Sequence, residues 1–407
     1  MQRAYDNTNA QRRRGRKKAF GLVFLVFLGF LAAFLLRARD EWTRIEEVPV
    51  GPYAGPATLV GDPELRGAGV AAVFRVEGWR YEAVFYGADA WRVRDRMQGE
   101  SVLVRAERRR WEDGSRRKLV RHVAGRLDRV VLGGDWNLGS PLSRAINRVR
   151  RVIARGASTV PMPESSLLVG LVIGDDRAQP RAMRDAFRNS GLSHLTAVSG
   201  QNIAFVLAVF APLLTRLRPT ARLSSTLAVV TAFTIMTRAE PSVLRAAAMA
   251  SFAAVVFAVG RRVSTTLTLC ASSAVLLLAD PFLAWSVGFW LSFAATFGIV
   301  VAAEPLGRAF RQRGVPNMIA APLAASFSAQ MATMPISFLV FGRVAPFGLI
   351  ANLLAVPVAG AVMLCGLPLC VAAGLVGGPV AGLLTSPLRV AVRYVWWVAV
   401  IVARLPG

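Results

Sequence analysis

The chain has 407 residues, enough for two or three soluble domains. Its 54% hydrophobic content and mean hydropathy of +0.45 exclude that class and indicate a chain embedded in lipid. Against 49 Lys and Arg stand 24 Asp and Glu, a net charge of +25, and beyond His194 the acids dwindle to Glu240, Asp280 and Glu304. Cys270, Cys365 and Cys370 lie in apolar stretches and give no disulfide framework. With only His122 and His194, a His-rich metal centre is excluded, and neither metal nor cofactor is expected.

Residues 1–18 form a basic tail, with Arg12, Arg13, Arg14, Arg16, Lys17 and Lys18 preceding an apolar run from Ala19 to Leu36. The run is long for a signal-peptide core, and Arg37-Ala38-Arg39-Asp40 offers no small-x-small cleavage site. An uncleaved first span over 19–36 is therefore expected, its tail held in the cytoplasm by the positive-inside rule. Across 37–135 the pattern changes to short alternating runs: Ala57 to Val60, Val70 to Val76, Tyr81 to Tyr86, Ser101 to Ala106 and Val130 to Leu132. About five such strands fit a small all-β barrel of the OB type, and a sandwich fragment would read similarly. Arg75, Arg80, Arg105 and the Arg108-Arg109-Arg110-Trp111 run give this domain a basic face with an aromatic. That combination suits single-stranded nucleic acid, and it is also what ordinary solvent-facing strand positions carry.

Residues 141–156 read as a basic amphipathic helix at the lipid surface, with Leu142, Ile146, Val149, Val152 and Ile153 opposite its arginines. Ser166 to Gly174 is apolar but too short to span, the pattern of a re-entrant or half-helix. From there to Gly407 the expected spans are 195–215, 223–237, 242–260, 263–279, 282–303, 317–341, 345–363, 364–382 and 387–403. With the first helix they make about ten. The arginine loops around 216–222, 261–262 and 308–313 all fall on the side of the basic tail. The fold expected is thus a polytopic α-helical membrane protein, its channel-like domain over 163–407. Its β domain is extracytoplasmic and both termini are cytoplasmic.

Polar residues in such spans are costly unless they meet each other or water. The densest group is His194, Ser199, Gly200, Gln201 and Asn202, following Asp175. Arg245 stands one turn into a span, where it either snorkels outward or pairs with Glu240. Gln330 and Thr333 share a helical face with Ser326, and Ser292 and Asn352 are isolated members of the same class. These residues either line one hydrated cavity or hold helices together. His194 and Ser199 stand about 140° apart around a helix, which argues against a nucleophile and base pair, so no enzyme is expected.

The spaced words Gly174-Asp175, Pro180, Phe187-Arg188, Ser190-Gly191, His194-Leu195 and Ala197-Val198-Ser199-Gly200 resemble the signature of the ComEC competence family. Pro241-Ser242-x-x-Arg245-Ala246, Asp280-Pro281, Gly288-Phe289, Leu291-Ser292-Phe293, Gln330, Thr333, Pro335, Phe341-Gly342, Pro346, Asn352 and Pro357 follow in the same order. The resemblance implies an inner-membrane channel passing one DNA strand into the cytoplasm, with the strand domain handling DNA outside. Gln201-Asn202 and Trp290 stand where the family often has Leu-His and Gln, so roles resting on those side chains do not carry over. Many members continue into a metallo-β-lactamase-like domain. This sequence reaches Gly407 without one, so a nuclease is expected from another polypeptide. No GxxxxGK[ST] loop is present, so a separate ATPase or helicase is expected too, beside a DNA receptor and a homo-oligomeric partner. The competing classes are a transporter of another anionic or lipid-linked substrate and a non-transporting scaffold.

Overall fold

The computed structural model describes residues 28–111, 118, 120–196, 200–261, 264–342 and 347–405. The first expected span begins before these residues. From residue 28 the helix runs on to 46, past the expected end at Leu36. Arg37–Glu41 and Asp40–Arg44 ion pairs at i,i+4 spacing carry it beyond its apolar part.

Six strands follow: β1 (Gly51–Leu59), β2 (Glu64–Arg66), β3 (Gly69–Val76), β4 (Trp79–Phe85), β5 (Ser101–Arg110) and β6 (Val123–Asn137). Their pairing order, β1-β5-β6-β4-β3, returns to its start through a β1–β3 contact, so five strands close a ring and β2 hangs from β3. All pairs in the ring are antiparallel except β4 with β6. Alternation puts Ala57, Leu59, Phe74, Val76, Tyr81, Phe85, Val102, Val104 and Leu127 inside this barrel. A helix, Gly87–Arg94, joins β4 to β5 and buries Ala90 and Val93 against the barrel. The expected β domain is therefore present. It has two features the sequence pattern hid: β2, and a β6 five times as long as its readable Val130–Leu132 centre.

Beyond the barrel the chain is helical. Five helices are long and apolar enough to cross a membrane: Pro241–Ala258, Val287–Gln312, Asn317–Val340, Gly348–Val376 and Gly378–Ala403. Glu164–Ile173, Gly200–Leu214 and Thr265–Ala279 are apolar but shorter. Pro219–Met236 is helical and begins with Arg222, Ser224 and Ser225 in its first turns.

The last three expected spans are two helices. Glycines and prolines near 363–368 suggested a break there, yet Gly348–Val376 runs through Pro357 and Pro368. Gly366 and Gly360 instead give room to Val172 and Phe205 of neighbouring elements. The turn comes at Gly377-Gly378, both with positive φ, 68° and 62°.

The half-helix, Glu164–Ile173, ends at a left-handed Gly174 and lies at the centre of the helical body, with Leu167, Leu168 and Leu171 fully buried. Around it pack Pro141–Ala157, Gly348–Val376 and Gly378–Ala403. Pro141–Ala157 was expected at the lipid surface with its arginines pointing away from the apolar side. It lies close against Gly348–Val376: a Cβ on Gly156 would run into the Cys370 carbonyl, and one on Gly374 into the Val152 carbonyl. Leu142 and Val149 stay exposed on its outer side, while Arg150 is buried at 2% exposure.

Candidate functional site

Arg150 enters a buried ionic cluster where the barrel meets the helical body. Asp62, in the turn between β1 and β2, accepts from Arg238 at 2.7 and 3.1 Å and from Arg150 at 2.9 Å. Arg150 also reaches Asp175 at 3.0 Å and the Met236 carbonyl at 2.7 Å. Arg177 clamps Asp175 with two bonds, 2.8 and 2.7 Å. Asn147 completes the cluster, accepting from Arg238 at 3.0 Å and donating to the Gln98 carbonyl at 3.1 Å. Three guanidiniums thus surround two carboxylates. Burial opposes ionisation of Asp62, yet Arg150, Arg177 and Arg238 hold its carboxyl below the usual range. The same contest at Asp175, won by Arg177 and Arg150, brings it down to about 2.

A second junction also joins the barrel to the helical body. His122 Nε2 stands 3.0 Å from Asp280, at the end of Thr265–Ala279, and Nδ1 stands 4.0 Å from Glu41. The His122 ring packs edge-on against Phe282. A cleft of about 580 Å³ opens beside it, lined by Arg44, Arg75, Trp79 and Arg80 among others.

Within the helical body, Gly200, Arg245 and Ser292 come together from three helices. Arg245 is 4% exposed, so it does not snorkel. Nor does it pair with Glu240, which faces Arg121 of the barrel. Its Nε and Nη2 both donate to the Ser292 hydroxyl, and Nη1 contacts the Met249 sulfur at 3.1 Å. Gly200, in the Gly200–Leu214 helix, lies so close by that a Cβ there would stand 2.9 Å from Ala246 and 3.5 Å from Arg245 Nη2.

The other expected positions are dispersed. Asp175 belongs to the ionic cluster. His194 and Gln201 are exposed, and Ser199 lies outside the described residues. Asn202 is buried and donates to the Leu171 carbonyl at 3.1 Å, tying its helix to the half-helix. Thr333 donates to carbonyls of its own helix, Ala329 at 2.9 Å and Gln330 at 3.2 Å, and Gln330 itself is half-buried. The buried Asn352 Oδ1 has no hydrogen-bond partner among the described residues.

On the barrel the expected basic face divides. Arg108 pairs with Glu77 at 2.7 Å over the Tyr53 ring, and Arg109 pairs with Glu107 and Asp128. Arg80 donates to the Arg121 carbonyl at 2.9 Å. The Lys118 ammonium sits over the Trp111 ring, 2.8 Å from its centre. Arg75, Arg105 and Arg110 remain exposed, with no ion pair to a described residue.

Asp62, Asn147, Arg150 and Arg177 had no warning in the sequence beyond their charge or polarity. Asp62 sits in a turn, where acids are ordinary, and Arg150 was one of several arginines on its helix. An amphipathic helix with arginine and asparagine one turn apart, at Asn147 and Arg150, was the nearest signal available.

Comparison with known proteins places this arrangement. The chain is 28% identical over 210 residues to the ComE operon protein 3 of Bacillus subtilis (strain 168), covering 51% of this chain and 26% of that protein. It is 31% identical over 214 residues to the competence protein ComA of Neisseria gonorrhoeae, covering 48% and 29% respectively. It is 25% identical over 209 residues to the uncharacterized protein YcaI of Escherichia coli (strain K12), covering 48% and 28%. The matched region is thus less than a third of the length of each relative. No solved structure matches. Residues 171–407, which hold Asp175, Arg177, Gly200, Arg238, Arg245 and Ser292, match the Competence protein family model. With more than half of its residues in that match, this membrane protein belongs to the Competence protein family.

Proposed function

We propose that the chain is a membrane channel for uptake of single-stranded DNA in natural transformation, with the barrel as an OB-like module outside the cytoplasmic membrane. The observation that carries this reading is Arg245, a cation buried in the helical body whose bonded partners among the described residues, Ser292 and Met249, are neutral. A polyanion crossing a low-dielectric layer needs fixed cations or oriented dipoles along its path. A body built only for helix contacts gains nothing from such a group.

The barrel supports the same reading. Closure of β1 on β3, the parallel β4–β6 pair and the helix between β4 and β5 fit a five-stranded OB barrel, a fold whose faces take oligonucleotides. Arg75, Arg105 and Arg110 leave it open cations for phosphates. One relative carries competence in its name, and this chain takes from it the class of process only. The proposed path carries the strand, and motor, nuclease and DNA receptor act outside it. Both termini are placed in the cytoplasm.

Fluorescent duplex DNA offered to cells lacking the protein tests the proposal. The label should gather at the envelope without reaching the cytoplasm, and wild-type protein supplied in trans should restore entry. Undiminished entry would refute import and favour transport of another anion.

A further inference from the structure

The helix over 28–46 and the barrel enclose the cleft beside His122, about 580 Å³ in volume and lined by Glu41, Arg44, Arg75, Trp79 and Arg80 among others. That volume suits a small-molecule site. Among the described residues that line it are three arginines, and Glu41 is the only acid. Glu41 already faces other cations, 3.9 Å from Arg37 and 4.0 Å from the His122 ring. Arg44 shares an exposed ion pair with Asp40 at 3.7 Å, an arrangement that holds weakly.

The other two arginines are held against each other. β3 turns into β4 through Glu77-Gly78, both with positive φ, 50° and 88°, and this two-residue turn sets Arg75 directly opposite Arg80. Their neighbours Phe74, Val76 and Tyr81 point into the barrel, so both arginines stand on its outer wall. Like charges opposite each other across two strands cost stability. Burial and then Arg75 push the Arg80 guanidinium down, against the pull of Asp280. Arg75 has no ion pair to a described residue, so an anion between the two arginines would relieve both.

The level of the cleft relative to lipid follows from the helix over 28–46. Its apolar run ends at Leu36, and Arg37 Nη2 donates at 3.4 Å to the carbonyl of Ala279, the last residue of Thr265–Ala279. Two apolar segments thus end together, where hydrocarbon gives way to headgroups. Glu41 and Arg44 stand four and seven residues past Arg37, about 6 and 10 Å along the helix axis. A headgroup layer is about 5 to 8 Å deep. Trp42 and Trp285, each six residues past its apolar run, are both exposed, as tryptophan is at bilayer interfaces.

We propose that this cleft binds the phosphodiester of one anionic phospholipid between Arg75 and Arg80, with Arg44 closing from the helix side, and so pins the barrel to the bilayer surface. The planar guanidiniums suit the oxygens of one phosphate, and a basic cleft selects a headgroup that keeps its negative charge. The apolar boundary below the cleft favours lipid over a nucleic-acid strand, because only a lipid has chains to leave there. Arg105 and Arg110 lie outside the cleft and stay open to a strand, so this site stands apart from the import reading.

The test uses the full chain, purified in a non-ionic detergent, with short-chain phosphatidylglycerol as the probe and short-chain phosphatidylcholine as the control. Phosphatidylglycerol at millimolar levels should raise the thermal midpoint by about 1 to 3 °C, and phosphatidylcholine should not. The rise should fall several-fold in Arg75→Gln and in Arg44→Gln, and persist in Arg105→Gln, elsewhere on the barrel. Without lipid, Arg75→Gln should melt at or above the wild-type midpoint, since the repulsion from Arg80 is gone, which separates a lost ligand from a damaged fold. A lower midpoint together with a lost rise would make Arg75 a structural residue and overturn the proposal. An undiminished rise in Arg75→Gln would overturn it too, and equal rises with the two lipids would trace the effect to acyl chains. Inorganic phosphate or a pentathymidylate producing the full rise where phosphatidylglycerol does not would give the site to a free anion or to a strand, and the lipid assignment would fall.

Discussion

Asp62 is the residue on which most of the junction depends, since Arg150 and Arg238 bond it and Arg177 lies 3.7 Å away. Removing its charge leaves guanidiniums facing one another without the acid that separates them. Asp62→Asn, nearly unchanged in shape, should therefore destabilise the purified protein by about 3 kcal/mol, read as a lower thermal midpoint. An unchanged midpoint would mean that water replaces the carboxylate at no cost. Asp175 gives a pH-dependent version of the same test. Its folded value of about 2 lies below the ordinary 3.8, so the stability it contributes is complete above roughly pH 4 and is lost as pH falls through about 2. Burial pushes Glu240 and Asp176 upward, which works in the opposite sense, so wild type must be compared with Asp175→Asn. The variant should be less stable near pH 6 and show a shallower loss between pH 4 and 2. Parallel curves would place the Asp175 contribution elsewhere.

At the scale of elements, close backbone approach does what charge does at the junction. Gly156 and Gly374 let Pro141–Ala157 and Gly348–Val376 touch main chain to main chain, as small residues do between membrane helices. Gly374→Ala puts a methyl group into the Val152 carbonyl and should cost about 1 to 3 kcal/mol. Faster proteolysis between the two helices would register it, and wild-type resistance would show that the pair can separate freely. These two glycines also mark where the sequence misleads. Period-two runs between turn residues made the barrel strands readable, because inward and outward positions must alternate in any strand with one face buried. β2 was too short to show a period, and the β6 flanks, Gly125-Arg126 and Gly133-Gly134, mimic turns. Gly360 and Gly366 looked like a break between spans because a glycine that admits a neighbouring side chain is spelled the same as one that turns the chain. Arg245 was legible as a charge in an apolar run, and Ser292 as a polar residue in another. Their pairing was not, since nothing local relates positions 47 residues apart. The Asp62 cluster was least legible of all, drawn from four segments that separately read as turns, caps and a solvated helix face.

For the whole molecule, the charge distribution makes a claim about sidedness that the two junctions sharpen. Barrel and helical body are joined through Asp62 and through His122–Asp280, so the barrel lies at the end of the helical body where Asp175, Arg238, Glu240 and Asp280 emerge. The loops at 216–222, 261–262 and 308–313 carry arginine and no acid, and residues 12–18 carry arginine and lysine. Short loops rich in Arg and Lys remain in the cytoplasm, whereas Asp and Glu contribute little to orientation. The loop holding Arg238 and Glu240 separates two of those boundaries by one helix each, so we propose that it and the barrel lie on the opposite, external side. A reporter active only in the cytoplasm should therefore stay silent when fused after Gly114 and be active when fused after Arg261 or Arg313. A cysteine substituted for Arg105, on the outer wall of the barrel, should react in intact cells with a thiol reagent that cannot cross the membrane, using a background in which Cys270, Cys365 and Cys370 are replaced by alanine. Reporter activity after Gly114 with no labelling at position 105 would invert the molecule. Arg245 would then stand at the cytoplasmic end, where a strand leaves, and the barrel would meet DNA only after its passage.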